Sequence, residues 1–197
     1  SQSTLIPPAY RQWVENNGKW EENPSAISNC MIAIDLAARL RIASPLLVMQ
    51  QVDIIHGRPA LRGPMMLGLI NSSGEFSPVS FEVRADDGHE NDPAHPSYRV
   101  RAYATRLSDG HLCTGPWITW AMVADDGWLS RKGSKWKTMP ELMFLYRAAA
   151  FWGRVFASHI MLGLQESDEV RDTLGYEEPE HAARPRGSRA AELNALT

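Results

Sequence analysis

The chain has 197 residues, 44% of them hydrophobic and seven of them tryptophan, with a formal net charge of −3. That is enough for one domain with a real core plus an appended tail. No apolar run approaches the roughly 18 residues that a membrane helix needs, and the two distant cysteines, Cys30 and Cys113, argue against a disulfide scaffold and for a reducing, cytoplasmic setting.

Residues 1–4 show no basic stretch leading into an apolar one, so no secretory leader is expected. Residues 5–20, with Pro7-Pro8 and then Tyr10, Trp13 and Trp20, read as an extended arm with a few anchoring aromatics. Asn23-Pro24-Ser25 is a helix-start signal. From 26 to 40, Ile27, Met31, Ile34 and Ala38 recur at spacings of four, three and four, which predicts an amphipathic helix. Ser44-Pro45 breaks it, and a short helix or turn follows over 48–51. Residues 52–61 predict a β-hairpin around His56-Gly57-Arg58, with glycine supplying the positive φ of a tight turn. A helix is expected over 63–73, closed by Ser72-Ser73-Gly74, then a strand over 76–84 and a polar loop over 85–96.

The clearest hairpin runs from 98 to 122 around Ser108-Asp109-Gly110. By period two, Val100, Ala102 and Ala104 form a core face, while Arg99, Arg101, Tyr103 and Thr105 form a cationic and aromatic one. Trp117 and Trp120, three apart on the return strand, should face opposite sides. A loop over 125–137 then leads into a helix capped by Thr138, starting near Pro140 and running to about Leu164. Its expected apolar stripe is Leu142, Leu145, Ala149, Trp152 and Phe156. Residues 165–197, charged and carrying Pro179 and Pro185, read as a flexible acidic tail with room for a short helix at 189–196. The domain reading is thus a core over 1–164 and a tail over 165–197.

Charge is unevenly placed. From 99 to 154 there are nine Lys and Arg against four Asp and Glu, a net of +5, while acid gathers at 82–92 and in the last thirty or so residues. Such asymmetry suggests a basic working surface, although a solvated mixed-charge surface would look the same. Within that stretch Lys132, Lys135, Trp136 and Lys137 precede a helix bearing Arg147 and Arg154. Seven helical residues place the two arginines within about 20° on one face, roughly 10 Å apart along the axis. Cations beside a ring suit phosphates and a stacked base. The plainer reading makes Trp136 a core anchor and the lysines solubilising groups.

Other constellations are weaker. Asp86, Asp87, His89, Glu90, Asp92 and His95 crowd one loop that could hold a divalent ion, but acidic, proline-rich turns are commonly just solvated. His111 and Cys113 lack a second ligand pair at zinc-finger spacing. No phosphate-cradling P-loop and no G-x-S-x-G elbow occurs.

The run Trp136-Lys137-Thr138-Met139-Pro140-Glu141-Leu142-Met143, followed by Tyr146-Arg147-Ala148-Ala149, resembles a motif of RecT-type phage single-strand annealing proteins, including the lambda Red beta branch. The 52–59 segment resembles the hairpin of that superfamily, and 29–47 and 63–74 fit in order and spacing, so the resemblance spans about residues 5–168. It implies an α+β fold, a small curved antiparallel sheet with hairpins packed on a long helix, like the annealing core of Rad52. It implies ATP-independent binding of single-stranded DNA and annealing of complementary strands in phage or prophage recombination, with no cofactor. Implied partners are single-stranded DNA, the annealed duplex, further copies in a ring or helical filament, a phage exonuclease and a host single-strand-binding protein, in the cytoplasm of a bacterial host. The expected DNA-contacting residues are Arg58, Arg99, Arg101, Lys132, Lys135, Trp136, Lys137, Arg147 and Arg154. Glu141 departs from the Red beta branch, where that position is basic. A metal-dependent nuclease centred on 86–95, and a phage interaction protein that keeps the fold without binding DNA, remain as alternatives.

Overall fold

A computed structural model describes residues 5–16, 18–131 and 134–174. Lys132 and the expected helix at 189–196 lie outside the described residues. The architecture is mixed α+β, with small antiparallel sheets and six helices among the described residues.

The N-terminal arm is more structured than expected. A single 3-10 turn at Pro8–Tyr10 buries Tyr10, whose hydroxyl donates to the Val52 carbonyl at 2.9 Å. Beyond it β1 (Trp13–Asn16) and β2 (Lys19–Glu22) form a hairpin that lies almost wholly in solvent. Of the arm's aromatics only Tyr10 is an anchor, helped by Ile6 and Ala9 packed against the core; Trp13 and Trp20 stay 45% and 53% exposed.

Helix α1 (Ala26–Arg39) starts where the sequence places it but faces the other way. Ala26, Asn29, Ala33, Leu36 and Ala37 are buried, whereas Ile27, Met31 and Ile34 are 75%, 65% and 53% exposed. The small residues let α1 lie close to α2 (Pro45–Gln51) and the 3-10 turn. The expected hairpin forms as β3 (Val52–Ile55) and β4 (Arg58–Leu61), with His56 at φ 48° and Gly57 at φ 76°. Two consecutive positive φ values define a type I′ turn, which matches the twist of the flanking strands. Helix α3 (Gly63–Ser72) follows.

The main sheet is β5 (Ser80–Arg84), β6 (Arg99–Thr105), β7 (Leu112–Thr114) and β8 (Ile118–Thr119), with β6 central. The predicted return strand over 111–122 is broken. In β7, Tyr103 pairs Thr114; in β8, Val100 pairs Ile118. Three residues, Gly115-Pro116-Trp117, thus span the two positions Arg101 and Ala102, a β-bulge with one extra residue. Gly115 donates its N–H to the Ala102 carbonyl at 2.8 Å, and a Cβ there would meet that oxygen and Trp152 Cβ at 3.2 Å. The strand ends as Thr119 caps α4 (Trp120–Asp125) by accepting from the Met122 N–H.

Helix α5 (Pro140–Phe156) packs on the inner face of β6, where Val100, Ala102 and Ala104 are fully buried. Its core residues are Met143, Phe144, Ala148, Ala149, Ala150 and Trp152; Leu142, expected in the stripe, is 41% exposed. Thr138 is not the cap, since Met139 holds that position and Thr138 donates instead to the Lys135 carbonyl. The Trp152 indole N–H donates to the Cys113 carbonyl at 2.9 Å and ties helix to sheet.

Residues 165–174, expected in the tail, belong to the folded body. Leu61 donates to the Gln165 carbonyl at 2.9 Å and bridges Glu166 in parallel. Helix α6 (Ser167–Leu174) then lies against β3 and β4, with Val170 buried on Ile55 and Ala60.

Candidate nucleic-acid interface

Two cationic surfaces emerge, on opposite sides of the sheet. The first is its outer face, where the pattern on β6 alternates as the sequence predicts: Arg99, Arg101, Tyr103 and Thr105 outward, their neighbours buried. The pairing with β5 places Glu82 opposite Arg101 and Arg84 opposite Arg99. Like charges directly opposed across strands destabilise a sheet, and each arginine of the Arg84–Arg99 pair meets an acid that offsets this, Glu82 and Asp86 respectively. Glu82 accepts from Arg84 at 3.0 Å and from Arg101 at 2.7 Å, and the Arg101 hydrogen bond is the main reason its carboxyl titrates below the usual range. Arg99 reaches exposed Asp86 at 3.4 Å.

The bulge completes this face. Cys113 and Ile118 both point inward although five residues apart, because the extra residue resets the alternation. Trp117 is thereby aimed outward, half-buried, with Arg101 stacked 4.5 Å and Arg99 5.8 Å from its ring centre. Trp120 is the inward partner: its N–H donates to the Pro93 carbonyl and its ring meets Trp136 and Phe144. Arg84 is a site residue that the sequence did not single out, while the sequence offered Trp117 and Trp120 as a pair, one for the core and one for the DNA, without assigning which. Arg84's place on the outer face was readable from period two, whereas Trp117's needed the bulge.

The second surface is the α5 face that carries Arg147 and Arg154. The two do share a face, as their spacing requires, but the Arg147 end of that face is covered, while Arg154 stays 41% exposed. Arg147 is buried, its side chain 1% exposed, lying 4.2 Å over Trp128 and paired with Asp172. Burial pulls its pKa down, opposed by Glu166, Glu169 and Asp168. Arg154 pairs with Glu169 at 2.5 Å, and Lys135 with Asp168 at 3.4 Å. The expectation that Arg147 is a free phosphate contact is therefore corrected: helix α6, read as tail, supplies acids that hold it.

Trp136 is likewise corrected. It is 1% exposed, packed among Trp128, Trp120 and Phe144, and offers no ring face to a base. Lys137 is exposed beside it, and Arg58 is exposed at the β3–β4 turn, far in sequence from the sheet cluster. In the 86–95 loop His89 and His95 stack face to face at 4.1 Å, but among the described residues no three His, Cys, Asp or Glu side chains come together to hold a metal.

Fold and site together define a mixed α+β protein with an open sheet face on which arginines gather around a tryptophan. No family model matches the chain, and neither a curated protein nor a solved structure matches it. Among the described residues, no helix is long and apolar enough to cross a membrane.

Proposed function

We propose that the protein binds single-stranded DNA and anneals complementary strands without nucleotide fuel, as the resemblance to RecT-type annealing proteins implies. The observation that carries this reading is the outer sheet face, where Arg84, Arg99 and Arg101 surround the half-buried Trp117. Phosphates take the guanidiniums, and a base stacks on the indole–guanidinium layer. Such contacts are largely indifferent to sequence. A strand held extended presents its bases to a second strand, and stacking of about 1.4 kcal/mol per step drives pairing.

The Rad52-like core belongs to the same proposal. So does self-association: Ile27, Met31 and Ile34 form an exposed apolar stripe that a neighbouring copy would cover. A phage exonuclease and a host single-strand-binding protein are further proposed partners, in a bacterial cytoplasm.

The test is annealing of two complementary labelled oligonucleotides without ATP, at low and moderate salt. Acceleration over the protein-free rate, suppressed by salt, is the expected result. A second reading, an interaction protein that does not bind DNA, draws on the pairing of Lys135, Arg147 and Arg154 with acids of α6. It requires that no oligonucleotide bind at low salt.

A further inference from the structure

We infer that helix α6 is an internal stand-in for a nucleic-acid strand, seated on a second phosphate-binding surface formed by Lys135, Arg147 and Arg154, which a DNA strand opens by displacing it. The inference rests on the single-strand-binding reading and concerns how that binding is regulated.

The first support is chemical. Asp168, Glu169 and Asp172 each meet one cation of the α5 side, so three carboxylates occupy the places that phosphates would take. The second is the manner of attachment. Val170 is the one buried hydrophobic side chain of α6 among the described residues, and it clusters with buried Ile55 and Ala60, apart from the main core. Ion pairs hold most of the rest, and an anionic competitor can exchange with the three in which α6 supplies the acid; the Arg171–Asp53 pair at 2.9 Å runs the other way and has to break for α6 to leave.

The third support is that α6 fits its seat imperfectly. A cavity of about 450 Å³ remains between it and the ends of α3 and α5, lined by Lys135, Trp136, Asp168 and Asp172. Arg147 Nη1, Trp136 Nε1 and Glu169 Oε2 are buried without a hydrogen-bond partner among the described residues. Buried polar groups normally find partners, and a half-satisfied ionic network is costly. A seat with two spare donors is better matched by a ligand richer in acceptors, which a phosphodiester backbone is.

Two measurements on the full chain decide the matter. In the first, the Asp168→Asn, Glu169→Gln, Asp172→Asn variant is titrated with a labelled oligothymidine strand. It should bind about tenfold tighter or better than the unaltered protein, because an apparent dissociation constant is the intrinsic one divided by the open fraction. In the second, hydrogen exchange is followed on the unaltered protein, which guards against misfolding of the variant. Amides of 167–174 should exchange faster when the strand is added, while those of α5 stay protected. If the unaltered protein binds DNA, yet 167–174 stay protected and a folded variant gains no affinity, α6 is a fixed part of the fold and the inference is overturned, with the annealing reading intact. If neither protein binds, both readings fall.

Discussion

Arg147 and Trp117 exchange the roles that spacing alone would give them. A cation on the long helix is the natural phosphate contact, yet Arg147 is inside, and its replacement acts first on stability. Removing one partner of a buried ion pair leaves the other charged and alone, at a cost of about 3–5 kcal/mol. Arg147→Ala should therefore lower the thermal midpoint by many degrees. Arg147→Met, which keeps volume over the Trp128 ring, should recover part of that loss. Thermal melts of the two variants check the order. At Trp117 the expectation is reversed. Trp117→Ala should leave the fold intact and cost about 1–3 kcal/mol of single-strand binding, with the salt dependence unchanged. Arg101→Ala should instead flatten the slope of log affinity against log salt by about 0.7, the value for one lost phosphate contact on a single strand. A Trp117→Ala variant with native affinity would remove the sheet face from the interface.

Glu166 gives a prediction about pH. It lies just before α6, accepts from the Glu169 N–H at 2.9 Å and is buried, and that burial pushes its carboxyl up to about 7. Asp168 pushes in the same direction, while Arg147 and the backbone donors oppose it. A raised folded pKa means that the native state holds the proton over a range where the unfolded chain has released it. The stability so contributed is full below about pH 4.5 and is lost as pH rises through about 7. Denaturant melts should show a smaller decline from pH 5 to 8 in Glu166→Gln than in the unaltered protein, which falls by about 1–3 kcal/mol, the remainder coming from Glu169, whose carboxyl burial also raises.

At the scale of elements, the sequence was legible where one principle acted alone. The β3–β4 hairpin follows from a two-residue turn with glycine at positive φ, and the alternation of β6 follows from pleat geometry. It was illegible where an element has two apolar faces. In α1 the large residues at helical spacing looked like the core stripe, but alanines and Leu36 on the other side pack closer and win the interior. The bulge at 115–117 was hidden because 111–122 reads as one continuous return strand, and the effect of the extra residue on Trp117 depends on pairing with β6. Helix α6 was hidden by its own composition. A stretch as charged as Ser167–Leu174 reads as solvated, and only the partners brought by α5 and β3 make it part of the body. Of the candidate site, Arg99 and Arg101 were readable from the chain, and the acids over the α5 cations were not.

For the whole molecule, the α1 stripe of Ile27, Met31 and Ile34 and the two tryptophans of the β1–β2 hairpin, Trp13 and Trp20, are exposed large apolar side chains. If copies associate through α1, the Ile27→Ser, Met31→Ser, Ile34→Ser variant should remain folded, since none of the three is in the core, yet sediment as a smaller species. It should also lose cooperativity along a long strand while still binding a short one. Sedimentation of an unchanged, monomeric unaltered protein at high concentration would remove α1 from any assembly.

The bulge between β7 and β8 also makes this part of the chain intolerant of changes in length. Because Gly115-Pro116-Trp117 is one residue longer than the stretch it faces, dropping Pro116 would let the two short strands fuse into one regular strand. The indole would then lie directly opposite Arg101, in continuous alternation with Cys113 and Ile118. The side chains at 114 and 119 would keep their directions, but the local bend and added twist that a bulge brings would be lost. What this loop preserves, then, is a count of residues, and a deletion there would alter the working surface without touching any of its arginines.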